Sequence, residues 1–248
     1  MKVVAIIPAR YGSTRFEGKP LADIAGSPMI AWVYHRVLRS AKIDAVYVAT
    51  DDERIVAACE EHGLSYMMTS PAHGTSTERL NEVAGRIDAD LYLCVNGDEP
   101  LIDVRLLEAI IPDALPAADS IYVANIAAKL SSAPEVVDAT NIKVVFAADG
   151  TAQFMSRAPI PYPKSSLAFD YYKHVGVLIY NRAALRFFAE TPRGANERVE
   201  DINELRFIEH GVPLKMVIAD AGEGLSVDTP KDLERIRAIV AERGLTVI

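Results

Sequence analysis

A loop with three basic side chains follows the first apolar run of the sequence, and its composition indicates phosphate binding. Arg10, Arg15 and Lys19 lie within ten positions of one another, interspersed with glycines. The whole chain carries a net charge of −8 at pH 7, so this positive charge is local. Cations beside exposed backbone N–H groups bind polyphosphate, although such side chains can also be solvated surface charges. Pro20 follows Lys19, so the loop matches neither the P-loop nor the dinucleotide-binding pattern.

Two aspartates at the ends of strand-like runs are candidate metal ligands. Asp98 directly follows the apolar run 90–97, and Asp228 ends a shorter run that begins at residue 225. An open α/β sheet carries its chemistry at the carboxyl ends of its strands, and Mg²⁺ prefers carboxylate oxygens beside the phosphates that it bridges. Each residue has a structural alternative, a polar turn for Asp98 and a helix start for Asp228. We predict that both hold magnesium next to the basic loop.

A polar loop at residues 69–80 is a further candidate for nucleotide binding. It leads into a predicted helix, with Ser76 or Thr77 as the N-cap and Arg79 in the first turn. Backbone amides, hydroxyls and an arginine at a helix start can contact a nucleobase and support a phosphate. A capped helix start alone also accounts for these residues.

Two residues of the second half are weaker candidates. His174 lies in the strand-like segment YKHVGV, where a single histidine is more often a packing residue than a catalyst. No neighbouring Ser or Cys suggests a catalytic triad. Arg157 begins the proline-rich segment 157–166 and is oriented, on this interpretation, toward an anionic ligand.

The elements that must position these residues follow from the hydrophobic pattern. Strand-like runs and helical spacing alternate over the first 115 residues, which predicts a doubly wound, mainly parallel α/β sheet. The expected strands are 2–9, 45–50, 90–97, 120–130, 141–150, 172–181 and 214–218. The expected helices are 28–41, 53–63, 77–87, 182–190, 197–210 and 229–244. We expect a single domain over residues 1–248 with an excursion at roughly 130–190.

The composition excludes several classes of protein. Hydrophobic residues make up 50% and charged residues 24% of the chain, as in a soluble globular protein. The acidic net charge argues against nucleic acid or an anionic membrane as a partner. No secretory signal or apolar run of about 20 residues is present, so we expect a cytoplasmic protein. Cys59 and Cys94 lie in apolar surroundings without a CxxC pattern and are expected to be free thiols.

The motifs, taken in order, resemble those of the 3-deoxy-D-manno-octulosonate (Kdo) cytidylyltransferase family. They span almost the whole chain: IPARYGSTRFEGKPLADIAGSPMI, VATDDERI, TSPAHGTSTERL, NGDEPLI, NIKVVF, SRAPIPY, YKHVGVLIY and VDTPKDLERIR. The resemblance implies a nucleotide-diphospho-sugar transferase-like fold that dimerises through the excursion. It also implies a Mg²⁺-dependent enzyme that transfers CMP from CTP to an acidic acceptor and releases pyrophosphate.

The resemblance assigns roles to individual residues. Catalysis is implied for Arg10, Lys19, Asp98 and Asp228, with metal held by the two aspartates. Nucleotide binding is implied for Ala9, Arg10, Ser13, Arg15, Lys19, Ser76, Thr77 and Arg79. Acceptor binding is implied for Asn96, Arg157, His174, Leu178, Asn203 and Glu204.

The departures from the family pattern lie mostly among the acceptor residues. Asn96 replaces a Gln, Leu178 replaces an aromatic residue, and Asn203 with Glu204 replaces a Glu–Gln pair. A site built to hydrogen-bond one sugar leaves polar groups unpaired when its residues change. We therefore expect CTP to be retained, with Kdo or a Kdo-like sugar acid as acceptor. The alternative is CMP transfer to a small phosphonate or another acid.

Two other classes of protein share parts of this pattern. A nicotinamide-dependent oxidoreductase has the same strand–helix alternation, and Asp51 or Asp52 would then contact a ribose. The absence of GxGxxG argues against it. A non-catalytic nucleotide-binding regulator would keep the basic loop but would have less use for two acids at strand ends.

Overall fold

The fold is seen in a computed structural model that describes residues 1–12, 16–117, 120–166, 168–220 and 226–247. Ser13 and Arg15, two residues of the predicted nucleotide site, lie outside the described residues.

Nine strands of these ranges form one sheet. Their bounds are β1 (Val3–Ala9), β4 (Ala45–Thr50), β5 (Tyr66–Met68), β6 (Leu91–Val95), β7 (Val123–Lys129), β8 (Lys143–Phe146), β9 (Ala152–Ser156), β10 (Tyr172–Tyr180) and β11 (Leu214–Ile218). The central order is β11-β7-β10-β6-β1-β4-β5, and β8 with β9 extends from the start of β10. Two short strands, β2 (Asp23–Ile24) and β3 (Ser27–Pro28), form a separate hairpin. Strands β5, β4, β1 and β6 are parallel, whereas β10 is antiparallel to both β6 and β7.

Helices cover both faces of the sheet. Those on one face are α1 (Met29–Leu38), α2 (Glu53–Glu61) and α4 (Val104–Ile110). The other face carries α3 (Ser76–Ala84), α6 (Arg182–Glu190) and α8 (Leu205–Glu209). The remaining helices are α5 (Ala133–Val137), α7 (Ala195–Glu200) and α9 (Pro230–Glu242). Alternate residues of β1 enter opposite clusters, with Ile7 beside α1 and Ile6 beside α3. The predicted doubly wound, mainly parallel α/β fold is confirmed.

The antiparallel strand β10 brings the second half of the chain to the edge where β6 ends. The backbone N–H of Asn96, just past β6, donates to the carbonyl of Gly176 over 3.0 Å. Since β10 runs opposite to β6, its early residues, including His174, lie at the carboxyl edge of the parallel strands. One antiparallel strand therefore adds side chains to the edge where an α/β sheet binds ligands.

Most predicted elements lie where the sequence placed them, but one predicted helix was wrong. The segment 197–210 forms two helices, α7 and α8, because Asp201 adopts a left-handed conformation with φ 52° that ends the first. The sequence pattern did not reveal β5, α4, α5 or β9. No helix within the described ranges is long and apolar enough to cross a membrane.

A buried ion pair holds the segment between α7 and α8. The Arg206 guanidinium donates from Nε to Glu197 Oε2 over 2.8 Å and from Nη2 to Oε1 over 2.6 Å. The side chains are 3% and 0% exposed, so neither charge is solvated. Arg193, which is partly exposed, lies 3.2 Å from the same Glu197 carboxylate. Two-point pairing of this kind compensates the burial of both charges.

Replacing Arg206 with Met should destabilise the protein, because the Glu197 carboxylate stays buried with only Arg193 beside it. We expect a loss of about 3 kcal/mol in the free energy of unfolding, measured by denaturant titration. Arg186→Met is the matched control, since it breaks an exposed pair with Glu190 and should leave stability nearly unchanged. Equal effects of the two substitutions would contradict a structural role for the buried pair.

Candidate active site

The loop after β1 places Lys19 beside two carboxylates. Its Nζ lies 2.8 Å from Asp98 Oδ2 and 3.9 Å from Asp228 Oδ1. The backbone also joins these segments, because the N–H of Val227 donates to the carbonyl of Asp98 over 2.8 Å. A residue from the first loop, one from the end of β6 and one from the start of α9 therefore meet at one point.

Two glycines allow the segments that carry Lys19 and Asp98 to approach each other closely. Gly18 has φ 68° and donates its N–H to the carbonyl of Tyr11 over 2.9 Å, which closes the basic loop just before Lys19. A side chain at Gly18 would lie 3.1 Å from the Tyr11 ring. Gly97 lies against β1, where an added Cβ would be 3.1 Å from the carbonyl oxygen of Pro8. The turn at Asp98 can thus approach the end of β1 closely.

A pocket of about 370 Å³ lies on the nucleotide side of this point. Its lining contains five of the predicted nucleotide residues, Ala9, Arg10, Lys19, Ser76 and Arg79. It also contains an arginine that the sequence analysis missed, Arg193, which pairs with Asp201 over 3.1 Å. The local sequence around Arg193 does not distinguish it from a surface charge. The connection between α6 and α7 is what brings its side chain to this pocket.

The start of α3 presents backbone N–H groups beside this pocket. The cap is Thr75 rather than the predicted Ser76 or Thr77, and Glu78 completes a capping box with it. Ser76 is consequently the first helical residue and lines the pocket. Thr77 does not line it; this side chain is buried, with Oγ1 3.5 Å from the Tyr180 hydroxyl. The prediction that Thr77 contacts the nucleotide is therefore corrected, because its side chain is buried away from the pocket.

Arg79 is fixed by residues that follow β4 and β5. Its Nη2 donates to Asp51 Oδ2 over 2.8 Å, and its Nη1 donates to the Thr69 hydroxyl. Asp52, the neighbouring acid, caps α2 and pairs with Arg54 over 2.6 Å. Each of the two acids that could contact a ribose in an oxidoreductase is therefore engaged with an arginine.

A second pocket of about 280 Å³ lies beside the first, and both are lined by Asn96 and Asp98. Predicted acceptor residues Arg157 and His174 line it, as does Asp228. The two pockets therefore meet at the end of β6, at the carboxylate that Lys19 contacts. Such an arrangement lets a group pass from a ligand in one pocket to a ligand in the other.

Asn96 occupies the junction because residue 176 has no side chain. A Cβ added to Gly176 would lie 2.3 Å from Asn96 Nδ2 and 2.8 Å from Glu99 Oε1. Glu99, which the sequence analysis did not select, also lines the second pocket. Burial raises the pKa of Glu99 to about 7, and the negative charge of Asp98 adds to the effect.

Arg157 and the neighbouring wall of the second pocket are held by carbonyl groups. Arg157 donates from Nε to the carbonyl of Glu200 over 2.8 Å and from its two terminal nitrogens to Ala139 and Asp201. Two of its five N–H groups remain for a ligand. Lys143 is fully buried, and its ammonium donates to the carbonyls of Asp138, Asn141 and Arg157. This lysine, missed by the sequence analysis, ties the pocket wall to β8.

Three of the four departures from the family pattern lie outside the second pocket. Leu178 is in the hydrophobic core beside Cys94, on the face of the sheet covered by α3 and α6. Glu204 is buried and lines neither pocket, and Asn203 lines the nucleotide-side pocket. The expectation that Leu178 and Glu204 line the acceptor pocket is therefore corrected. Only Asn96 of the four reaches it.

Two pockets that meet at charged side chains allow a group to pass between two substrates, and this sheet places them where nucleotides bind in α/β proteins. The molecule is by class a nucleotidyltransferase. A family model described as cytidylyltransferase matches residues 4–217, and the chain belongs to that family.

Named relatives resemble the chain over nearly its full length. It is 41% identical to the 3-deoxy-manno-octulosonate cytidylyltransferase of Geotalea daltonii over 98% of this chain and 100% of the relative. It is 39% identical to an 8-amino-3,8-dideoxy-manno-octulosonate cytidylyltransferase of Shewanella sp. strain ANA-3, over 95% and 97% of the two chains. A solved CMP:2-keto-3-deoxy-manno-octonic acid synthetase, complexed with CTP, superposes with a TM-score of 0.91 at 38% identity, covering 98% of this chain and 100% of that one. The family resemblance read from the sequence is confirmed.

The environment of His174 gives a pH prediction. Burial lowers the pKa of His174 below its ordinary value, with the charge of Arg157 acting in the same direction and that of Glu204 opposing it. The unfolded chain binds a proton at roughly pH 6.5 while the folded protein keeps this imidazole neutral, so the free energy of unfolding falls as the pH drops through that value.

His174→Gln should remove this part of the acid sensitivity. We expect the variant to lose less unfolding free energy than the wild type between neutral pH and mildly acidic pH, measured by denaturant titration. His210→Gln, at an exposed histidine, is the control and should follow the wild type. Parallel loss of stability in the wild type and His174→Gln would contradict the prediction.

Proposed function

We propose that this protein moves CMP from CTP to Kdo or a Kdo-like sugar acid and releases pyrophosphate. The observation that carries the proposal is the junction of the two pockets at Asp98, with Lys19 and Asp228 beside it. Relatives named for Kdo and for 8-amino-Kdo, together with a neighbour complexed with CTP, support this choice of substrates.

The charges at the junction suit the reaction. An anionic acceptor must approach a triphosphate that repels it, so positive charge has to be in place before the chemistry begins. Arg10 and Lys19 line the nucleotide-side pocket and would neutralise the departing pyrophosphate. Two pockets that meet would place the attacking oxygen in line with the first phosphorus atom of CTP, which makes the reaction effectively unimolecular.

We further propose that Asp98 and Asp228 hold Mg²⁺. No group of three or more His, Cys, Asp or Glu side chains within the described ranges is placed to hold a metal unaided. Two carboxylates fit the role, because Mg²⁺ at phosphoryl-transfer sites is held by one or two carboxylates together with phosphate oxygens and water. When bound, the ion would polarise the phosphate that is attacked.

The second pocket supports a sugar acid as acceptor more than a small phosphonate. Arg157 and Lys173 supply positive charge for a carboxylate, while Thr140, Asn141 and His174 supply hydrogen-bonding groups for hydroxyls. Only one of the four departures from the family pattern lies in this pocket. A change of acceptor class would require more of its wall to differ.

A homodimer formed through the excursion is also part of the proposal. Val137, Tyr162 and Phe169 are apolar or aromatic side chains that are 69%, 85% and 48% exposed within this segment. Exposed apolar side chains grouped in one segment often form protein–protein contacts.

With CTP as the donor, we propose that the reaction takes place in the cytoplasm.

Asp98→Asn should abolish most of the CMP transfer, because it removes one of two carboxylates at the junction while keeping the shape of the side chain. We expect kcat to fall roughly 100-fold or more, measured as pyrophosphate release at saturating CTP. Asp149→Asn, in an exposed turn before β9, is the control for the loss of one carboxylate and should retain normal activity. Near-normal turnover of Asp98→Asn would contradict its role.

The acceptor can be identified by comparing pyrophosphate release with Kdo, 8-amino-Kdo, other sugar acids and small phosphonates. We expect the highest kcat/KM with Kdo or 8-amino-Kdo, since the pocket offers both cations and groups for hydroxyls. A phosphonate turned over faster than either sugar would overturn the proposed acceptor. Tight CTP binding without release from any acceptor would instead favour the non-catalytic nucleotide binder.

A further inference from the structure

We infer that Asn125 is a positioning residue that fixes the tautomer of His174, so that His174 presents a hydrogen-bond acceptor to the second pocket. The inference rests on the proposed function for the identity of that pocket's ligand. The evidence for the tautomer itself comes from the geometry around Asn125 and does not depend on the reaction.

Asn125 is fully buried in β7, and each polar group of its side chain has a partner. Its Nδ2 donates to the carbonyls of Val175 over 2.8 Å and of Val177 over 3.0 Å. Its Oδ1 lies 2.9 Å from Nδ1 of His174. The two donors are used on the backbone, which leaves the oxygen facing the imidazole.

The amide can take only this orientation. In the opposite one, Oδ1 would face two carbonyl oxygens, and three acceptors would meet without a proton between them. A buried polar group left in this state is costly, and here the backbone carbonyls cannot turn away without breaking the sheet. Because Asn125 must offer an oxygen, Nδ1 of His174 must carry the proton.

An irregularity in the sheet explains why an asparagine is needed. Asn125 is paired with Leu178 and Ala127 with His174, so four steps along β10 correspond to two steps along β7. In this stretch Asn125 supplies side-chain donors to the carbonyls of Val175 and Val177, next to the point where the pairing of β10 with β7 shifts. Asn125 therefore supplies hydrogen-bond donors to the irregular part of β10 and also fixes the tautomer of His174.

The other ring nitrogen remains available to a ligand. Burial holds the pKa of His174 below its ordinary value, so the ring is neutral near pH 7 and Nε2 carries a lone pair. No hydrogen bond joins Nε2 to any of the described residues. His174 lines the second pocket and is partly exposed, while its Nδ1 side is covered by the buried Asn125. The exposed part of the ring is therefore the part that contains Nε2.

This tautomer restricts the chemistry of the acceptor. A hydroxyl or ammonium group can donate to the Nε2 lone pair, whereas a carboxylate or phosphonate oxygen would place two acceptors against each other. The acceptor carboxylate consequently belongs near Arg157 and Lys173, and a hydroxyl belongs near His174. A polyhydroxylated sugar acid meets both requirements, whereas a phosphonate meets them only when it also carries a hydroxyl or ammonium group.

The tautomer can be measured directly on the full chain labelled with ¹⁵N-histidine. Long-range ¹H–¹⁵N spectra distinguish a protonated ring nitrogen from one with a lone pair, and His174→Gln assigns the signals among the five histidines. We expect Nδ1 of His174 to be protonated and Nε2 to be of the lone-pair type near neutral pH. A protonated Nε2 in the wild type would overturn the inference, whether or not the protein transfers CMP.

Asn125→Leu tests the positioning role, with Asn181→Leu as the matched control. Asn181 also bridges backbone groups, those of Ser120, Tyr122 and Ala184, but lies away from both pockets. We expect Asn125→Leu to move His174 toward the Nε2-protonated form and to raise the acceptor KM roughly fivefold to tenfold, with the CTP KM unchanged. Asn181→Leu should leave the tautomer and both KM values as in the wild type.

A second variant keeps the test valid where Asn125→Leu does not fold. Asn125→Asp retains an oxygen opposite Nδ1, and its other oxygen faces the carbonyls of Val175 and Val177, where we expect it to stay protonated and donate to one of them. The wild-type tautomer should therefore persist. Glu204 and Arg157, the charged groups that act on His174, are unchanged in this variant. An altered tautomer in Asn125→Asp would overturn the inference. The expected tautomer without turnover of any acceptor would reject the proposed function alone.

Discussion

The ammonium group of Lys19 is the charge on which the arrangement of the site depends. It lies between Asp98 and Asp228, carboxylates that the fold brings together from the middle and the end of the chain. Their side chains are 24% and 32% exposed, so water screens their mutual repulsion only in part. The hydrogen bond from Val227 to Asp98 joins the two segments and so holds the backbone of both aspartates close together. This point of the molecule therefore requires positive charge, which the lysine supplies in part and which a divalent cation and the basic loop would complete.

The second pocket depends on one reversed strand. If β10 ran parallel to β6, its last residues rather than its first would lie at the edge where β6 ends, and His174 would be at the opposite side of the sheet. The reversed direction also places Gly176 beside Asn96, where the absence of a side chain leaves room for the amide. The irregular pairing with β7 then requires Asn125, because the regular ladder is interrupted next to the pocket. The direction of β10, the absence of a side chain at Gly176 and the buried Asn125 together shape the second pocket.

The sequence revealed the parts of the site that depend on local pattern. Asp98 follows β6, and strand ends meet at one edge in any doubly wound sheet, so its approach to Lys19 could be predicted. Residues 226–228 do not form the expected strand, and Asp228 instead approaches Lys19 beside the backbone hydrogen bond from Val227 to Asp98. Leu178 could not be placed, because the irregular pairing in β10 is invisible in the alternation of residue types. The same limit applies to the helix predicted over 197–210, where a left-handed Asp201 ends the first of two helices. Arg193 pairs with Glu197 four residues further on, but its place in the nucleotide-side pocket depends on tertiary packing, which no spacing encodes. Lys143 likewise acts through its contact with the carbonyl of Arg157.

Asn96 lies at the junction of the two pockets and not in a wall of the second pocket alone. Its side chain borders both pockets, so a shorter amide than the family's usual Gln changes the junction between nucleotide and acceptor. Kdo and 8-amino-Kdo, however, differ at carbon 8, whereas the oxygen attached to CMP is at the other end of the sugar. Discrimination between them must come from walls that belong to the second pocket alone, such as Thr140, Asn141 and Lys173. A hydrogen-bond acceptor at His174 accommodates either a hydroxyl or an ammonium group, so charge in these walls, rather than hydrogen-bonding capacity at His174, must separate the two sugars.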